Sequence, residues 1–301
     1  MIKHTLYFGN SCFLKKKDMQ LKIVYPKENT RNESSVPIED IGLIILDSPN
    51  ITISNSLLMA LNESNSAIIS CDASHLPNGL MLPMFTHHAF TEKLYAQLDA
   101  SQPLMKNLWQ HTVVAKIENQ TAHLRREGID VKKMNFLINE VKSGDPDNVE
   151  GRAAAYYWAN LFRDILFLRN RFGEPPNNLL NYGYSVLRAV VARSLIASGL
   201  FPSISIHHRN KYNPYCLADD IMEPYRPFVD SIVLSIVKNH LYIEELTPAL
   251  KKELLKIPVM DIEIDGKRSP LMIGMQRTTS SLASCFEGIS RKIIYPKFYQ
   301  V

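Results

Sequence analysis

The chain has 301 residues, 46% of them hydrophobic, enough for two domains that each bury a core. Its net charge is only +4, so composition alone does not announce a nucleic-acid binder. The charge is uneven: residues 1–85 carry seven basic against eight acidic side chains, and the rest carry 27 against 22.

The first 85 residues read as strands. Thr5–Phe8, Cys12–Lys15 and Leu21–Tyr25 are short β-like segments, with Lys15–Lys17 as a hairpin tip and a polar loop from Lys27 to Ser35. Ile41–Leu46 is apolar and β-branched, the pattern of a buried strand. Ile51–Ser54 and Ala67–Cys71 are further strands, a short helix starts at Asn55, and Pro77-Asn78-Gly79 makes a turn before Leu80–Leu82. After Pro83 helical periodicity takes over, with no strong strand signal. Helices are expected over 86–98, 103–126, 131–141, 147–170, 177–197, 217–239, 248–255 and 270–291. The expected fold is α+β: a small N-terminal β-strand domain (1–85) followed by a larger all-α domain (86–301).

Cys12, Cys71, Cys216 and Cys285 lie far apart with no CxxC pair, which suggests neither a zinc knuckle nor a disulfide framework and fits a reducing, cytoplasmic setting. No apolar run approaches the ~20 residues of a membrane span. Walker A, G-x-G-x-x-G and G-x-S-x-G motifs do not occur, so nucleotide hydrolysis, Rossmann cofactors and α/β-hydrolase chemistry have no support.

The richest stretch is Ile206–Asp230. Two histidines, His207 and His208, precede a loop with Arg209 and Lys211, then Asp219, Asp220 and Glu223 fall within five positions. On a helix, Glu223 would share a face with either aspartate. Clustered carboxylates repel unless a cation sits between them, and a divalent ion with an imidazole ligand is one answer. The other is structural: the acids charge a helix start and the histidines satisfy loop backbone. Glu150 has the same two readings. Asp147 and Glu150 have capping-box spacing, yet Glu150 could equally be a metal ligand in the first turn of a long helix. Arg163, Arg169 and Arg171 further along are either a solvated face or phosphate contacts.

The combination of Val36–Leu46, Ile53-Ser54-Asn55 and Ile68–Asp72 with Glu150-Gly151-Arg152-Ala153-Ala154 and the His-to-Glu stretch resembles the CRISPR-associated integrase, the first protein of the spacer-acquisition pair, in its type II version. The resemblance covers the whole chain. It implies a dimerising N-terminal β-domain and a helical catalytic domain. It implies metal and catalytic residues at Glu150, His208 and Glu223, with Asp220 as a further acid near the site. His208 is preferred to its neighbour His207 because the type II pattern places the histidine 15 positions before the second acid. Much of the family has Asp where Glu223 stands. The implied cofactor is Mg²⁺ or Mn²⁺. The implied partners are DNA, a second copy, the small second acquisition protein and, in type II systems, the effector nuclease and an accessory acquisition protein. Arg163, Arg169, Arg209 and Lys211 are the candidate DNA contacts. The expected reaction joins DNA 3′-hydroxyl ends to the CRISPR repeat by transesterification. A structure-selective nuclease using the same residues and a non-catalytic DNA-binding scaffold are the alternatives.

Overall fold

The computed structural model describes residues 3–26, 32–84, 87–163, 165, 167–170, 172–239 and 243–298. It divides into two compact units, Met1–His88 and Ala89–Val301.

Unit 1 holds two four-stranded sheets and one helix. Strands β1 (His4–Phe8), β5 (Ile41–Leu46), β7 (Ala67–Cys71) and β8 (Pro77–Met81) form one sheet in that order; β4 (Ser34–Pro37), β3 (Gln20–Val24), β2 (Cys12–Lys17) and β6 (Ile51–Ile53) form the other. β5 lies between two parallel neighbours, and its residues 41–45 are all buried, which explains its unbroken apolar run. β2 alternates instead: Cys12 and Leu14 face the core, while Phe13 and Lys15 face out. Helix α1 (Asn55–Glu63) adds Leu57, Ala60 and Leu61 to the core with Leu14, Leu21 and Ile38.

Two expectations for this unit change. Lys15–Lys17 belongs to β2, and the hairpin tip is Asp18-Met19, both at positive φ (49° and 57°) as a two-residue turn matching the strand twist requires. Pro77–Gly79 is strand, with Gly79 opposite Ser70. A Cβ at Gly79 would overlap the Ser70 hydroxyl, so glycine serves close pairing here and not a turn. The expected loop from Lys27 falls partly outside the described residues, and its end from Ser34 is β4.

Unit 2 is built on two long helices, α3 (Gln102–Arg126) and α6 (Asn177–Ala197), with α2 (Phe90–Leu98), α4 (Lys132–Glu140), α5 (Val149–Leu161), α7 (Cys216–Met222), α8 (Arg226–Asn239), α9 (Pro248–Leu254) and α10 (Leu271–Phe286) around them. α6 is buried over most of its length and packs on α7, α8, α9 and α10. Gly183 lets α8 approach it, since a Cβ there would sit 2.5 Å from the Val229 Cγ1.

The unit is not all-α. Strands β9 (Asp261–Ile264) and β10 (Lys267–Pro270) form an antiparallel hairpin. Its tip, Asp265-Gly266 with φ of 52° and 68°, is the Asp-Gly turn that hairpins favour. α5 stops at Leu161, nine residues short of expectation. Trp158, Phe162 and Phe167 cluster there with ring centroids 4.6–6.1 Å apart, turning the chain out of the helix. The Asn177 side chain then holds the irregular stretch, donating to the Leu168 carbonyl and accepting from the Asn170 amide. α10 ends at Phe286, five residues before the expected Arg291, where Gly288 takes the left-handed conformation (φ 74°) favoured just beyond helix ends. The expected helix over 217–239 is interrupted by a 3-10 turn, Glu223–Tyr225. Pro224 lacks the N–H that a continuous helix would use.

Candidate active site

The first turn of α5 is capped without Glu150. Asn148 is the N-cap and its side chain accepts from the Gly151 amide (3.2 Å). The Asp145 carboxylate accepts from the amides of Val149 (2.8 Å) and Glu150 (3.0 Å). Asp147 turns outward to Lys142. Of the two readings of Glu150, the capping box is therefore absent. Three of the four orphan amides of the helix start are satisfied by other side chains, and the Glu150 carboxylate is released for another task. It lies 2.5 Å from the Lys116 Nζ, which donates to its Oε1.

Lys116 projects from the buried side of α3 and also meets Glu223, whose Oε2 is 2.6 Å from the same ammonium. Oε2 is buried, and the Lys116 ammonium is what meets it. The other oxygen, Oε1, accepts from Arg226 Nε at 2.8 Å. Burial pushes the Glu223 carboxyl up, but the Arg226 and Lys116 charges overcome it and hold it at about 2. Asn119, one turn along α3, fixes the backbone beside Glu223 by donating to the carbonyls of Pro224 (2.8 Å) and Pro296 (2.9 Å).

His208 reaches this site from the loop before α7. Its Nδ1 is 2.6 Å from Asp220 Oδ1. That bond leads in raising its pKa, burial opposes, and the charges of Asp220, Glu150 and Glu223 add to the rise. The Asp220 carboxylate is fully buried and also accepts from the amides of Ile206, His207 and His208 at 2.9, 2.9 and 3.3 Å. With four donors on two oxygens, Asp220 anchors the loop and orients His208; it has no lone pair to spare as a further acid at the site. In the neutral ring, an Nδ1–H directed at Asp220 leaves Nε2 as the acceptor. His207 behaves differently. Its ring lies flat on Trp109, centroids 4.1 Å apart and planes within 1°, and burial lowers its pKa.

The three acids of the 219–223 stretch thus do not share one ion. Asp219 is held by the Arg188 guanidinium (2.6 and 3.1 Å) and by Asn213 (2.7 Å), Asp220 by the loop, and Glu223 by Arg226 and Lys116. What the fold brings together is Glu150, Glu223 and, within electrostatic reach, His208.

The basic candidates divide. Arg209 and Lys211 are exposed on the loop carrying His208, and Lys211 lies over the Tyr212 ring (4.8 Å). Arg163 is exposed in the turn after α5. Arg169 is not a phosphate contact as placed: its guanidinium donates to Asn177 (2.9 Å) and Asn181 (2.8 Å) and lies over the Tyr184 ring. Arg171 lies outside the described residues. Reasoning from sequence missed Lys116, Arg226, Asp145, Asn119 and Trp109. Arg226, three residues after Glu223, was the one findable by spacing.

Among the described residues, no three His, Cys, Asp or Glu side chains are gathered closely enough to hold an ion as they stand. The cation between Glu150 and Glu223 is the Lys116 ammonium, a stand-in for a metal charge. The donor set, two hard carboxylates and an imidazole, fits Mg²⁺ or Mn²⁺, and Glu223 Oε2, met now by the Lys116 ammonium, is an oxygen that a metal could take in its place.

Two carboxylates converging on one cation in a helical unit, with a β-rich unit before it in the chain, agree with the CRISPR-associated integrase class that the sequence resembles. The family model described as CRISPR associated protein Cas1 matches residues 6–246. The CRISPR-associated endonuclease Cas1 of Neisseria meningitidis serogroup C is 39% identical over 249 residues, 82% of this chain and 81% of that protein. The chain belongs to the Cas1 family. Two solved structures share its fold. A casposase bound to integration product superposes with a TM-score of 0.79 at 18% identity, over 97% of this chain and 92% of that one. A Cas6-RT-Cas1–Cas2 complex gives a TM-score of 0.71 at 17% identity, over 99% of this chain and 36% of that one.

Proposed function

We propose that this protein is the integrase of CRISPR adaptation, a metal-dependent enzyme that joins the 3′-hydroxyl ends of a DNA fragment to the CRISPR repeat. The attacking oxygen forms a bond to phosphorus as the bond to the leaving oxygen breaks; one proton is lost from the first and one gained by the second. One phosphodiester replaces another, so no ATP is consumed. The observation that carries this reading is the convergence of Glu150 and Glu223 on one cation, with His208 held by Asp220 beside them.

Glu150, His208 and Glu223 are the proposed metal ligands. Mg²⁺ or Mn²⁺ bound there would polarise the phosphate and stabilise charge on the attacking and leaving oxygens. The chain's own residues prepare the site. Arg226 and Lys116 keep Glu223 ionised, Asp145 and Asn148 relieve Glu150 of capping, and Asp220 orients the His208 ring through Nδ1. His208 is favoured over His207 because the Asp220 carboxylate orients its ring, while the His207 ring is packed on Trp109. Arg163, Arg209 and Lys211 are the proposed phosphate contacts, which position the duplex and carry little sequence information. Unit 1 is proposed to mediate the homodimer. Cas2 is the proposed bridging partner, supported by its presence with Cas1 in a structure of this fold; the type II effector nuclease and an accessory protein are proposed to join them. No helix among the described residues is long and apolar enough to cross a membrane; we propose a cytoplasmic location.

The test is strand transfer. A duplex with free 3′-hydroxyls is offered to a supercoiled plasmid bearing leader and repeat, with Cas2 and Mn²⁺ or Mg²⁺. Joining that requires metal and is lost in E150A, H208A and E223A, but retained in H207A, is the expected result. Metal-dependent nicking without joining would favour a structure-selective nuclease. Tight DNA binding with no product in any condition would leave a scaffold.

A further inference from the structure

Lys116 is the least expected member of the site. It stands on α3 with 9% of its surface exposed, between two carboxylates from two other elements. Its ammonium donates to Glu150 Oε1 (2.5 Å) and pairs with Glu223 Oε2 (2.6 Å). Two carboxylates this close, with no cation between them, would repel until one took a proton or the elements parted. Arg226 cannot serve both, because it contacts the far oxygen of Glu223. The lysine alone bridges the pair.

The same position is where a divalent ion would contact both carboxylates. With that ion bound, Lys116 and Arg226 would leave the site with four positive charges against two negative ones, so the ammonium becomes a cost. We infer that Lys116 is the resident counter-cation of the site: it holds Glu150 and Glu223 together when no metal is bound and competes with the metal for the same two carboxylates. This rests on the metal-site reading above and adds a residue to it. Lys116 is a positioning residue, and it keeps metal affinity below what the carboxylates would give alone. The site is thereby shaped before metal and DNA arrive, and the ammonium is the group that has to yield.

The experiment measures Mn²⁺ binding to the full chain without DNA, from the loss of the free Mn²⁺ electron-paramagnetic signal, together with the metal-free melting temperature. Lys116→Met is expected to bind Mn²⁺ roughly tenfold or more tightly, about 1.4 kcal/mol. It is also expected to melt lower without metal and to gain more on metal addition than wild type does. A merely structural lysine would give the opposite change in affinity, since disordering the carboxylates weakens a metal site. Lys116→Gln, which keeps a hydrogen-bonding group without the charge, repeats the comparison if the methionine variant does not fold. Mn²⁺ affinity equal to or weaker than wild type in both variants overturns the inference. Glu150→Gln separates it from its premise: if that change leaves Mn²⁺ binding intact in both the wild-type and Lys116→Met backgrounds, the metal site itself is misassigned and this inference falls with it.

Discussion

Asp220 offers the sharpest test of how the site is assembled. Asp220→Asn keeps the shape of the side chain but replaces one acceptor oxygen with an N–H donor. The amide oxygen can still accept from the backbone amides of Ile206 and His207, now 2.9 Å from Oδ2. The new NH₂ faces His208 Nδ1, which sits 2.6 Å from Oδ1 in the native site. Two donors cannot share that distance, so the imidazole must carry its proton on Nε2. The free lone pair of Nε2 is lost, and with it the ring's ability to hold a cation or accept a proton. Stability changes modestly, by about 1–2 kcal/mol for the charge-assisted bonds weakened. Strand transfer should fall far more, by roughly 10–100-fold, as when groups that orient metal-ligating histidines are removed.

The assay pairs strand-transfer rates with nitrogen NMR of the His208 ring. Asp220→Ala is the contrasting variant. It leaves three backbone amides without an acceptor at ~1–3 kcal/mol each, less where water enters, and should loosen the 206–208 loop outright. An Asp220→Asn protein that folds, keeps the Nδ1–H tautomer and joins DNA at the wild-type rate would refute the reasoning. Asp220 would then be a loop anchor only.

Two more predictions concern the support of the site. Asn119→Ala removes two buried hydrogen bonds, to the carbonyls of Pro224 and Pro296, and should cost about 2 kcal/mol, lowering the melting temperature by about 4–8 °C. An unchanged melting curve would show those carbonyls are satisfied otherwise. The second concerns the buried chain His123–Tyr157–Asp230–Tyr184, linked by bonds of 2.8, 2.9 and 2.5 Å. Burial raises Asp230 to about 7, so the folded state keeps a proton that the unfolded chain releases near 3.8; this contribution is full below 3.8 and is lost as pH rises to about 7. Burial, with Arg126 and Lys238, lowers His123 to about 3, so its contribution is full above 6.5 and is lost as pH falls to about 3. The two slopes oppose each other between about pH 4 and 6.5. Asp230→Asn should therefore melt at rising temperature as pH increases through that window and His123→Gln at falling temperature; parallel profiles in both variants would exclude the compensation.

Much of this arrangement was legible before the structure. The buried strand Ile41–Leu46, the switch from strands to helices after Pro83 and the nearness of Glu150 to Glu223 all follow from residue pattern and resemblance. The misreadings have physical causes. Asp147 and Glu150 have capping-box spacing, but the left-handed residues Asp145 and Asn148 put other side chains over the helix start. The acids at 219, 220 and 223 look like one cluster along the chain, yet each has its own partners: Arg188 for Asp219, the 206–208 loop for Asp220, and Lys116 with Arg226 for Glu223. Arg169 looked like a solvent-facing base on a helix that had already ended. The Asp265-Gly266 turn was visible and was overlooked, because flanking strands of four residues are too short to declare themselves. Lys116 carried no signal at all, since nothing in a linear pattern says that two carboxylates more than thirty residues away will close on it.

α3 ties these observations together. Thr112, Lys116, Asn119 and His123 recur every three or four residues along one buried face of that helix. Thr112 bonds the Tyr295 hydroxyl (2.8 Å), Lys116 holds Glu150 and Glu223, Asn119 holds the carbonyls of Pro224 and Pro296, and His123 bonds Tyr157. A stripe of leucines would bury more apolar surface and stabilise the unit further. It would also remove the Lys116 ammonium that Glu150 and Glu223 share and leave Arg226 as the cation beside Glu223. Through Lys116 the polar stripe joins Arg226 in keeping Glu223 ionised, at the expense of stability that apolar packing would supply. It also sets the spacing of α5 and the Glu223–Tyr225 turn, because both dock on donors that the α3 pitch places for them. The site's geometry is thus written mainly in a helix that contributes none of its proposed metal ligands.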